Sequence, residues 1–484
     1  MESLIIKSPK ADISESSIQQ MDGIIAAMRA NQPAVAQTTA RERIVKLKRL
    51  KKAVFDNRTR IHDALYADYK KPAPEVDLTE IFVVTSELKH TIRNLKKWMK
   101  PHRVKPTLAL LSTRSRLHYE PRGVVLIISP WNFPFNLTFG PLVSAVAAGN
   151  CMVIKPSEFT PHTSAIMKEI LAGIFPEDEV CMIEGGPEVS SELIKKPFDH
   201  IFFTGSTHVG KIVMKAAAEN LTSVTLELGG KSPVIVDETA HLDDAAKKVA
   251  WGKYVNKGQA CISPDYLLVH ESKYEPFMEK LKTNIQQYYG ETEADRQKSH
   301  HLSRIVSSKH QVRLAKMIYD TVEGGAEIEI GGVSKEDENY ISPTVLSGIS
   351  MDSPVMQEEI FGPILPVIKY RTLDEVLPIL SEREKPLALY IFSGSRKNID
   401  FILSNTTAGG TCINEVMLQF MHNNLPFGGV NNSGHGSSHG YFGFKTFSHE
   451  RAVLKHHRFS PLKLMYPPYT KTVQKLIDLT LKYL

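Results

Sequence analysis

The chain contains 484 residues, and its 59 lysines and arginines against 53 aspartates and glutamates give a formal net charge of +6. This length favours two or more domains, and hydrophobic and charged fractions of 42% and 23% exclude disordered, collagen-like and coiled-coil classes. So small a positive excess on so long a chain does not predict a nucleic-acid-binding face.

The cysteines indicate a reducing compartment. The four of them, at positions 151, 181, 261 and 412, are too few and too scattered for a disulfide framework, and no Cys-x-x-Cys pair is present. Near the N-terminus the short apolar run Leu4–Ile6 is followed at once by Lys7, so a signal-peptide core is lacking. We therefore expect a cytoplasmic protein.

Residues 12–100 are predicted to be mostly helical. The basic stretch 41–60 has amphipathic spacing, and a solvated helix face explains its charge better than an anion site does. Residues 123–154, in contrast, contain no Asp, Glu, Lys, Arg or His, which is the length of a transmembrane helix. The prolines within them would break such a helix repeatedly, so a buried β-loop-α-β unit is the better interpretation.

The alternation of buried strands and helices continues beyond residue 154 and predicts an α/β fold with two sets of parallel strands. Strands are predicted at 123–128, 151–154, 200–205, 223–228, 233–236, 265–270, near 328, and at 344–346 and 364–370. Helices are predicted at 138–148, 209–220, 242–251, 273–289 and 308–323. Parallel sheets of this kind bind ligands at the carboxyl ends of their strands, so the chemistry should lie in the loops there.

Residues 205–212, GSTHVGKI, join a predicted strand to a helix. Free backbone N–H groups and the helix dipole favour a phosphate at such a position. The sequence is close to a P-loop but has Ile212 where Ser or Thr would hold Mg²⁺, and its glycine spacing is not that of the dinucleotide fingerprint. A nucleotide site and an ordinary strand-to-helix turn both remain open.

Two reactive side chains are candidates for catalysis. Cys261 lies in a polar, glycine-containing loop, which suits an accessible nucleophile, although buried cysteine is commonly an inert hydrophobe. Glu227 stands within an apolar strand, where isolation would raise its pKa towards that of a general base. Its spacing from Gly205 also fits a ribose-binding acid, and an edge-strand glutamate reaching water is a third alternative.

The glycine-rich stretch 428–443 produces two false motifs. Its G-x-S-x-G, residues 436–440, follows no strand, and His435 and His439 have helical spacing among glycines that disfavour a helix. We expect a close-packed irregular loop and no metal site.

Taken jointly, seven motifs resemble the aldehyde dehydrogenase family. In chain order they are PWNFPF (130–135), KPSE (155–158), FTGST (203–207), ELGGKSP (227–233), GQAC (258–261), EEIFGP (358–363) and LPFGG (425–429). The resemblance covers roughly residues 40–455. REKPLALY (383–390), the SGHGSSHG tail and YPPY (466–469) are similar to the class 3 branch, which includes fatty and aromatic aldehyde dehydrogenases.

The resemblance implies a mechanism. Cys261 would attack the aldehyde to give a thiohemiacetal, Asn132 and the Cys261 backbone N–H would hold the oxyanion, and hydride would pass to the nicotinamide. Glu227 would be the general base that activates water for thioester hydrolysis and assists deprotonation of the thiol. Medium- or long-chain aliphatic, or aromatic, aldehydes would be oxidised to carboxylic acids.

The resemblance also implies a cofactor site for NAD, with NADP as an alternative. Glu158 would bind the adenosine ribose beside Lys155, and Glu359 would bind the nicotinamide ribose with Phe361 against the ring. The residues implied to bind the cofactor are Trp131, Lys155, Glu158, Gly205, Ser206, Gly210, Leu228, Glu359 and Phe361.

The resemblance implies three parts and a homodimer. A Rossmann-like NAD(P)-binding domain would comprise residues 1–102 and 122–227, and an α/β catalytic domain would comprise 228–417. A small β bridging element for oligomerisation would comprise 103–121 and 418–484.

A C-terminal helix would place five residues on one face: Val473, Leu476, Ile477, Thr480 and Leu484. Packing of that helix over a subunit or the substrate funnel is favoured over peripheral membrane contact.

Two alternative functions differ in their chemistry. A coenzyme A-acylating dehydrogenase would release the acyl group to a thiol instead of water, and the presence of Glu227 argues against it. A non-catalytic binding or structural protein on the same scaffold is disfavoured because Cys261, Glu227 and Asn132 are all present.

Overall fold

The computed structural model describes residues 14–107, 110–456 and 461–483. From residue 15 to residue 98 the chain is mostly helical, as expected. The elements are α1 (Glu15–Ala36), α2 (Ala40–Asp56), α3 (Arg58–Tyr69), α4 (Ala73–Val76), a π-helical turn (Asp77–Ile81) and α5 (Phe82–Trp98). Helix α2 begins at a capping box made by Thr39 and Glu42, and its basic residues Lys48, Arg49 and Lys52 are exposed to solvent.

The uncharged segment forms the predicted β-loop-α-β unit, and its strands are fully buried. From residue 102 the elements are β1 (His102–Val104), β2 (Thr113–Pro121), β3 (Val124–Ile128), α6 (Asn136–Ala148), β4 (Cys151–Lys155), α7 (Pro161–Ala172), β5 (Val180–Met182), α8 (Pro187–Leu193), β6 (His200–Thr204), α9 (Thr207–Ala218) and β7 (Ser223–Glu227).

The second alternating set begins at residue 233. Its elements are β8 (Pro233–Val236), α10 (Leu242–Tyr254), a 3₁₀ turn (Val255–Gly258), β9 (Tyr266–His270), α11 (Glu271–Tyr289), α12 (Glu293–Lys298), α13 (Ser308–Glu323), β10 (Glu327–Ile330), β11 (Ser334–Lys335), a 3₁₀ turn (Glu336–Glu338), β12 (Tyr340–Ile341), β13 (Thr344–Ser347), α14 (Pro354–Gln357), β14 (Ile364–Tyr370), α15 (Leu373–Ser381), β15 (Ala388–Phe392), α16 (Arg396–Asn405) and β16 (Gly410–Ile413). The sequence analysis predicted neither β15 nor β16, because a short apolar run does not distinguish a strand from a buried helix and glycines precede β16.

The C-terminal part contributes short elements and one long strand. They are a 3₁₀ turn (Leu418–Met421), β17 (Gly434–His435), α17 (Gly440–Thr446), β18 (Ser448–His456), a 3₁₀ turn (Pro461–Met465) and α18 (Lys471–Tyr483). Within α18, Val473, Leu476, Ile477 and Thr480 are half-buried, whereas Leu484 of the predicted face lies outside the described residues. No helix within the described ranges is both long and apolar enough to cross a membrane.

Two large sheets organise the chain. The first has the order β17-β7-β6-β3-β4-β5 and is parallel except where β17 meets β7. The second has the order β10-β13-β14-β9-β8-β15-β16 and is parallel except where β10 meets β13. Strands β1, β2 and β18 form a separate antiparallel sheet, and β11 pairs with β12.

The order of the first sheet identifies where a ligand can bind. After β3 the chain crosses to β4 on one side, and it later returns to β6 on the other side. The carboxyl ends of β3 and β6 therefore flank a topological switch point, which is the usual ligand crevice of an open parallel sheet. The loops that follow these two strands, residues 129–135 and 205–206, meet there.

Candidate active site

One large cavity lies at this switch point and has a volume of about 730 Å³, within the usual range for a ligand site. Most of the site residues predicted from the sequence line it. They are Trp131, Asn132, Gly205, Ser206, Glu227, Cys261, Glu359 and Phe361. The structure thus brings together loops from both large sheets around the Cys261 thiol.

The loop that carries Cys261 is held in an unusual backbone conformation. Asn256, Lys257 and Gly258 have φ values of 51°, 59° and 72°, all in the left-handed region. At Gly258 a Cβ atom would lie 2.3 Å from the carbonyl oxygen of Gly362, so only glycine fits. Left-handed backbone at the two non-glycine residues Asn256 and Lys257 is costly, and strain of that type is typical of functional sites.

Hydrogen bonds from buried side chains stabilise this loop. The backbone N–H of Asn256 donates to Glu75 Oε1 at 2.9 Å, and its side-chain amide donates to the carbonyl oxygens of Asn132 and Gln259. The Gln259 side chain accepts from Val306 N at 3.0 Å. These contacts fix the loop before Cys261 without using any group of Cys261 itself.

Asn132 is buried beside the same loop. Its side-chain Nδ2 donates to the carbonyl oxygen of Gln259 at 3.0 Å. A side-chain amide has two N–H donors, so the second can serve an oxyanion at the Cys261 end of the cavity. Asn132 is therefore placed as a hydrogen-bond donor close to the proposed nucleophile.

Glu227 ends β7, a strand paired on both sides, so the edge-strand alternative is wrong. The carboxyl is buried; Oε1 accepts from Ser438 Oγ at 2.9 Å, and Oε2 has no hydrogen-bond partner. Burial raises the pKa of Glu227 to about 8, against a smaller lowering by the Ser438 hydrogen bond. A carboxyl with this pKa and one free oxygen is suited to take a proton near neutral pH.

The thiol of Cys261 is less acidic than its loop position suggests. Burial raises its pKa well above the usual range, and the nearby carboxylates Glu359 and Glu227 raise it further. A polar loop therefore does not by itself generate a thiolate here. Glu227, whose Oε2 has no hydrogen-bond partner, lines the same cavity as the thiol.

Glu359 and Phe361 form the opposite wall. Burial, followed by repulsion from Asp265, raises the pKa of Glu359 to about 8. Phe361 has a left-handed φ of 49°, and its ring meets the edge of Trp131 at 5.3 Å between centroids. His310 stands on the other side of Trp131 at 5.2 Å, and the sequence analysis did not identify it because nothing local marks its position.

The GSTHVGKI turn opens α9 at the edge of the cavity. Ser206 caps the helix by accepting from Val209 N, which leaves the first N–H groups of the helix facing the loop. Gly210 lies against Leu228, where a Cβ atom would approach the Leu228 side chain to 2.6 Å. Gly210 and Leu228 are outside the cavity lining, and their close approach packs α9 against the residue that follows β7.

Lys155 and Glu158 also lie outside the cavity lining, at the carboxyl end of β4. The buried Lys155 ammonium donates to Pro156 O at 2.8 Å and meets Glu158 Oε2 at 3.4 Å. Burial lowers the pKa of Lys155. Strand β4 is two strands from β6, roughly 10 Å away, so these side chains suit the far end of an extended ligand.

A second, apolar cavity of about 60 Å³ reaches Cys261 from another direction. Apart from Thr79, Asn136 and Cys261, its lining is apolar. The apolar residues are Leu78, Val83, Phe133, Leu137, Trp251, Ala260, Ile262, Met417, Phe420 and Met421. Cys261 thus stands where a polar and an apolar cavity meet.

The aldehyde dehydrogenase family model matches residues 6–453. The chain belongs to the aldehyde dehydrogenase family. Among relatives, it is 46% identical to the putative aldehyde dehydrogenase AldX of Bacillus subtilis over 87% of this chain and 95% of that protein. It is 44% identical to human aldehyde dehydrogenase family 3 member B1 over 85% and 86% of the two chains, which confirms the class 3 resemblance.

Among solved structures, the substrate-bound AldH of Staphylococcus aureus superposes with a TM-score of 0.90 at 40% identity, covering 95% of this chain and 99% of that one. An NAD⁺ complex of aldehyde dehydrogenase from Bacillus cereus superposes with a TM-score of 0.82 at 27% identity, covering 91% and 89%. The protein is therefore an NAD(P)-dependent aldehyde dehydrogenase with the fold predicted from its motifs.

The residues of this aldehyde dehydrogenase fit a dinucleotide. A capped helix N-terminus and the Glu158 carboxylate lie at the carboxyl ends of the first sheet, and Glu359 with the aromatic rings of Phe361 and Trp131 lines the cavity there. The nicotinamide cofactor, when bound, supplies the hydride acceptor. Ser438 is the contact of Glu227 that sequence reasoning missed, because its only local signal was a G-x-S-x-G string in the wrong structural setting.

Proposed function

We propose that this enzyme oxidises apolar aldehydes, medium- or long-chain aliphatic or aromatic, to carboxylic acids by thioester hydrolysis. The observation that carries this proposal is the apolar cavity that ends at Cys261. An aldehyde whose hydrocarbon part fills it gains free energy from burial, about 0.8 kcal/mol for each CH₂ group. A related dehydrogenase of S. aureus, 43% identical over 87% of this chain, is named for 4,4'-diaponeurosporen-aldehyde.

The side chains divide the reaction among them. Cys261 is the nucleophile that attacks the carbonyl carbon and forms a thiohemiacetal, while Asn132 donates to the developing oxyanion. Glu227 takes the thiol proton through its free Oε2 and releases it to solvent. After hydride loss, the regenerated carboxylate takes a proton from the water that attacks the thioester. Collapse of the tetrahedral adduct of water and thioester releases the carboxylic acid and returns the Cys261 thiolate.

Water is the proposed acyl acceptor, in preference to coenzyme A. The buried carboxyl of Glu227 would serve no purpose in transfer to a thiol that is already acidic enough to lose its own proton. Coenzyme A added to the assay should therefore yield carboxylic acid and no acyl thioester.

NAD is the proposed cofactor, with NADP as the alternative. The side chain of Glu158 is 37% exposed, so its carboxylate is available to accept hydrogen bonds from ribose hydroxyls and would repel a 2'-phosphate. Lys155, whose ammonium lies 3.4 Å from Glu158 Oε2, partly offsets that repulsion. We propose that this pair sets a preference for NAD without excluding NADP.

An aldehyde panel tests these proposals. We expect kcat/KM to rise with chain length, or with an aromatic ring, by roughly three- to four-fold for each added buried CH₂ group. For each aldehyde NAD should give the higher value. An optimum at acetaldehyde, or a value that does not depend on chain length, would contradict the substrate assignment.

We propose that residues 1–102 and 122–227 bind the cofactor, that 228–417 form the catalytic domain, and that 103–121 and 418–484 form the bridging element. The separation of the two large sheets supports this division, although β17 joins the first sheet from the third segment.

Strand β18 is an edge strand of nine residues, with Leu454 54% exposed. An edge of that length is a surface for pairing with a second copy of the chain.

Light scattering should give twice the monomer mass. Leu454→Glu should shift the protein towards monomer, because a charge on a paired edge disfavours association. Leu221→Glu, at a position 94% exposed and outside this sheet's strands, is the matched control and should stay dimeric. A monomeric wild-type protein would contradict the dimer.

Two further proposals concern the surroundings of the enzyme. Helix α18 packs over a second subunit or the substrate funnel in preference to a membrane. Its half-buried apolar face supports this packing. A reducing, cytoplasmic compartment is supported by the four free cysteines, since the mechanism requires Cys261 to remain a thiol.

A further inference from the structure

A second buried carboxyl, Glu87, lies behind the active site and has no place in the mechanism above. It projects from α5 and is 5% exposed. Its Oε1 accepts from the backbone N–H of Gly440 at 2.8 Å and from Thr91 Oγ1 at 3.4 Å. Neither partner carries a charge, so this carboxyl is not half of a structural ion pair.

One short loop connects Glu87 with Glu227. Ser438 Oγ donates to Glu227 Oε1, and Gly440, two residues later, donates to Glu87 Oε1. Between them His439 has a left-handed φ of 72°, and its ring stacks on Phe427 at 5.3 Å between centroids. The loop is therefore held firmly while it places both carboxyls.

The two carboxyls also line one small cavity, and Cys261 lines it as well. Its volume of about 30 Å³ is sufficient for one or two water molecules. Burial raises the pKa of Glu87 to about 7 and that of Glu227 to about 8, so the two acids are close enough in strength to exchange a proton.

Three histidines lie near this cavity. Burial lowers the pKa of His439 to about 4, so its ring is uncharged at neutral pH. His90 lies about one helical turn after Glu87 in α5, and its pKa is lowered by burial and by Arg93. His435, beside β7, is exposed. Within the described residues, Lys, Arg and Asp are absent from the cavity lining.

We propose that Glu87 receives the proton that Glu227 takes from the hydrolytic water, through the cavity that both side chains line. This inference rests on the proposed role of Glu227 as general base. During hydrolysis a water O–H bond breaks, the oxygen bonds to the acyl carbon, and the proton goes to Glu227. The proton then passes through a cavity water to the Glu87 carboxylate, Glu227 returns to its carboxylate form, and Glu87 releases the proton to solvent between turnovers. Glu87 does not touch the acyl group and acts only through Glu227.

Glu87→Gln tests the relay, because a glutamine keeps the oxygen that accepts from Gly440 and removes only the ability to take a proton. We expect an unchanged pre-steady-state NADH burst and a steady-state rate lowered about ten-fold, less than loss of the base itself would cost. The pH–rate profile should lose its ionisation near 7 and keep the one near 8. Hydroxylamine, which attacks a thioester without base assistance, should restore turnover.

Thr91→Val is the matched control, since it removes a neighbouring hydrogen bond and leaves the carboxyl. Its plateau rate should equal that of the wild type, and its ionisation near 7 should be kept but moved to higher pH, because the lost hydrogen bond lowers the pKa of Glu87. Glu227→Gln is measured in parallel, so that a failure of the proton relay can be distinguished from a failure of the general-base assignment. If Glu227→Gln slows hydrolysis while Glu87→Gln leaves the rate and the profile unchanged, only the relay is refuted. A Glu87→Gln variant that loses the burst together with turnover would show a structural role and would also overturn the relay. Normal hydrolysis by Glu227→Gln would refute the base on which the relay depends.

Discussion

We expect Cys261→Ala to abolish aldehyde-dependent NADH formation, with kcat lowered roughly 10⁴-fold or more, because the reaction then lacks its only covalent route. The cavity should persist, since alanine is smaller than cysteine and the loop is held by Asn256 and Gln259 instead of by the thiol. NAD⁺ binding, measured by calorimetry, should therefore stay within a few-fold of the wild-type value.

Cys412→Ala is the matched control for this variant. Cys412 is also half-buried, and its thiol contacts Gln419 Oε1 at 2.8 Å, but it does not line the cavities that reach Cys261. The variant should turn over aldehyde at close to the wild-type rate. Undiminished turnover by Cys261→Ala would refute the nucleophile assignment, and loss of turnover by Cys412→Ala would show that sensitivity to cysteine replacement is not specific to position 261.

The sequence predicted the elements whose physical signal is local. The strands β3 and β4 are continuous apolar runs, and the prolines around residue 130 excluded a membrane helix, so their placement followed from composition alone. Strands β15 and β16 were not predicted, because the position of β15 depends on pairing with β8, more than 150 residues earlier, and β16 joins the sheet only through β15.

Motifs placed the candidate site residues, whereas their electrostatics required the fold. A polar loop around Cys261 indicated an accessible nucleophile, but burial and then the carboxylates Glu359 and Glu227 raise the pKa of its thiol. The partner of Glu227, Ser438, lies 211 residues further along the chain and reaches it only through the pairing of β17 with β7. No local pattern in a sequence can report a contact of that kind.

Glu227→Gln should separate the two halves of the reaction. We expect a burst of about one NADH for each active site, followed by steady-state turnover lowered roughly 10²- to 10⁴-fold, because glutamine cannot activate the hydrolytic water. The burst itself should be slower at neutral pH, since the raised pKa of the Cys261 thiol makes its deprotonation depend on the same base. Stopped-flow absorbance of NADH measures both phases in one experiment. Steady-state turnover equal to that of the wild type would contradict the base assignment.

The pH dependence gives an independent test of the same residue. Only the carboxylate form of Glu227 can accept a proton, so wild-type hydrolysis should rise with pH through about 8, and this rise should be absent from Glu227→Gln. Ser438→Ala is the matched control. It removes the hydrogen bond that lowers the pKa of Glu227 but keeps the carboxyl, so its profile should move to higher pH and reach the wild-type plateau. A Ser438→Ala profile that stays in place would mean that the titrating group is not Glu227.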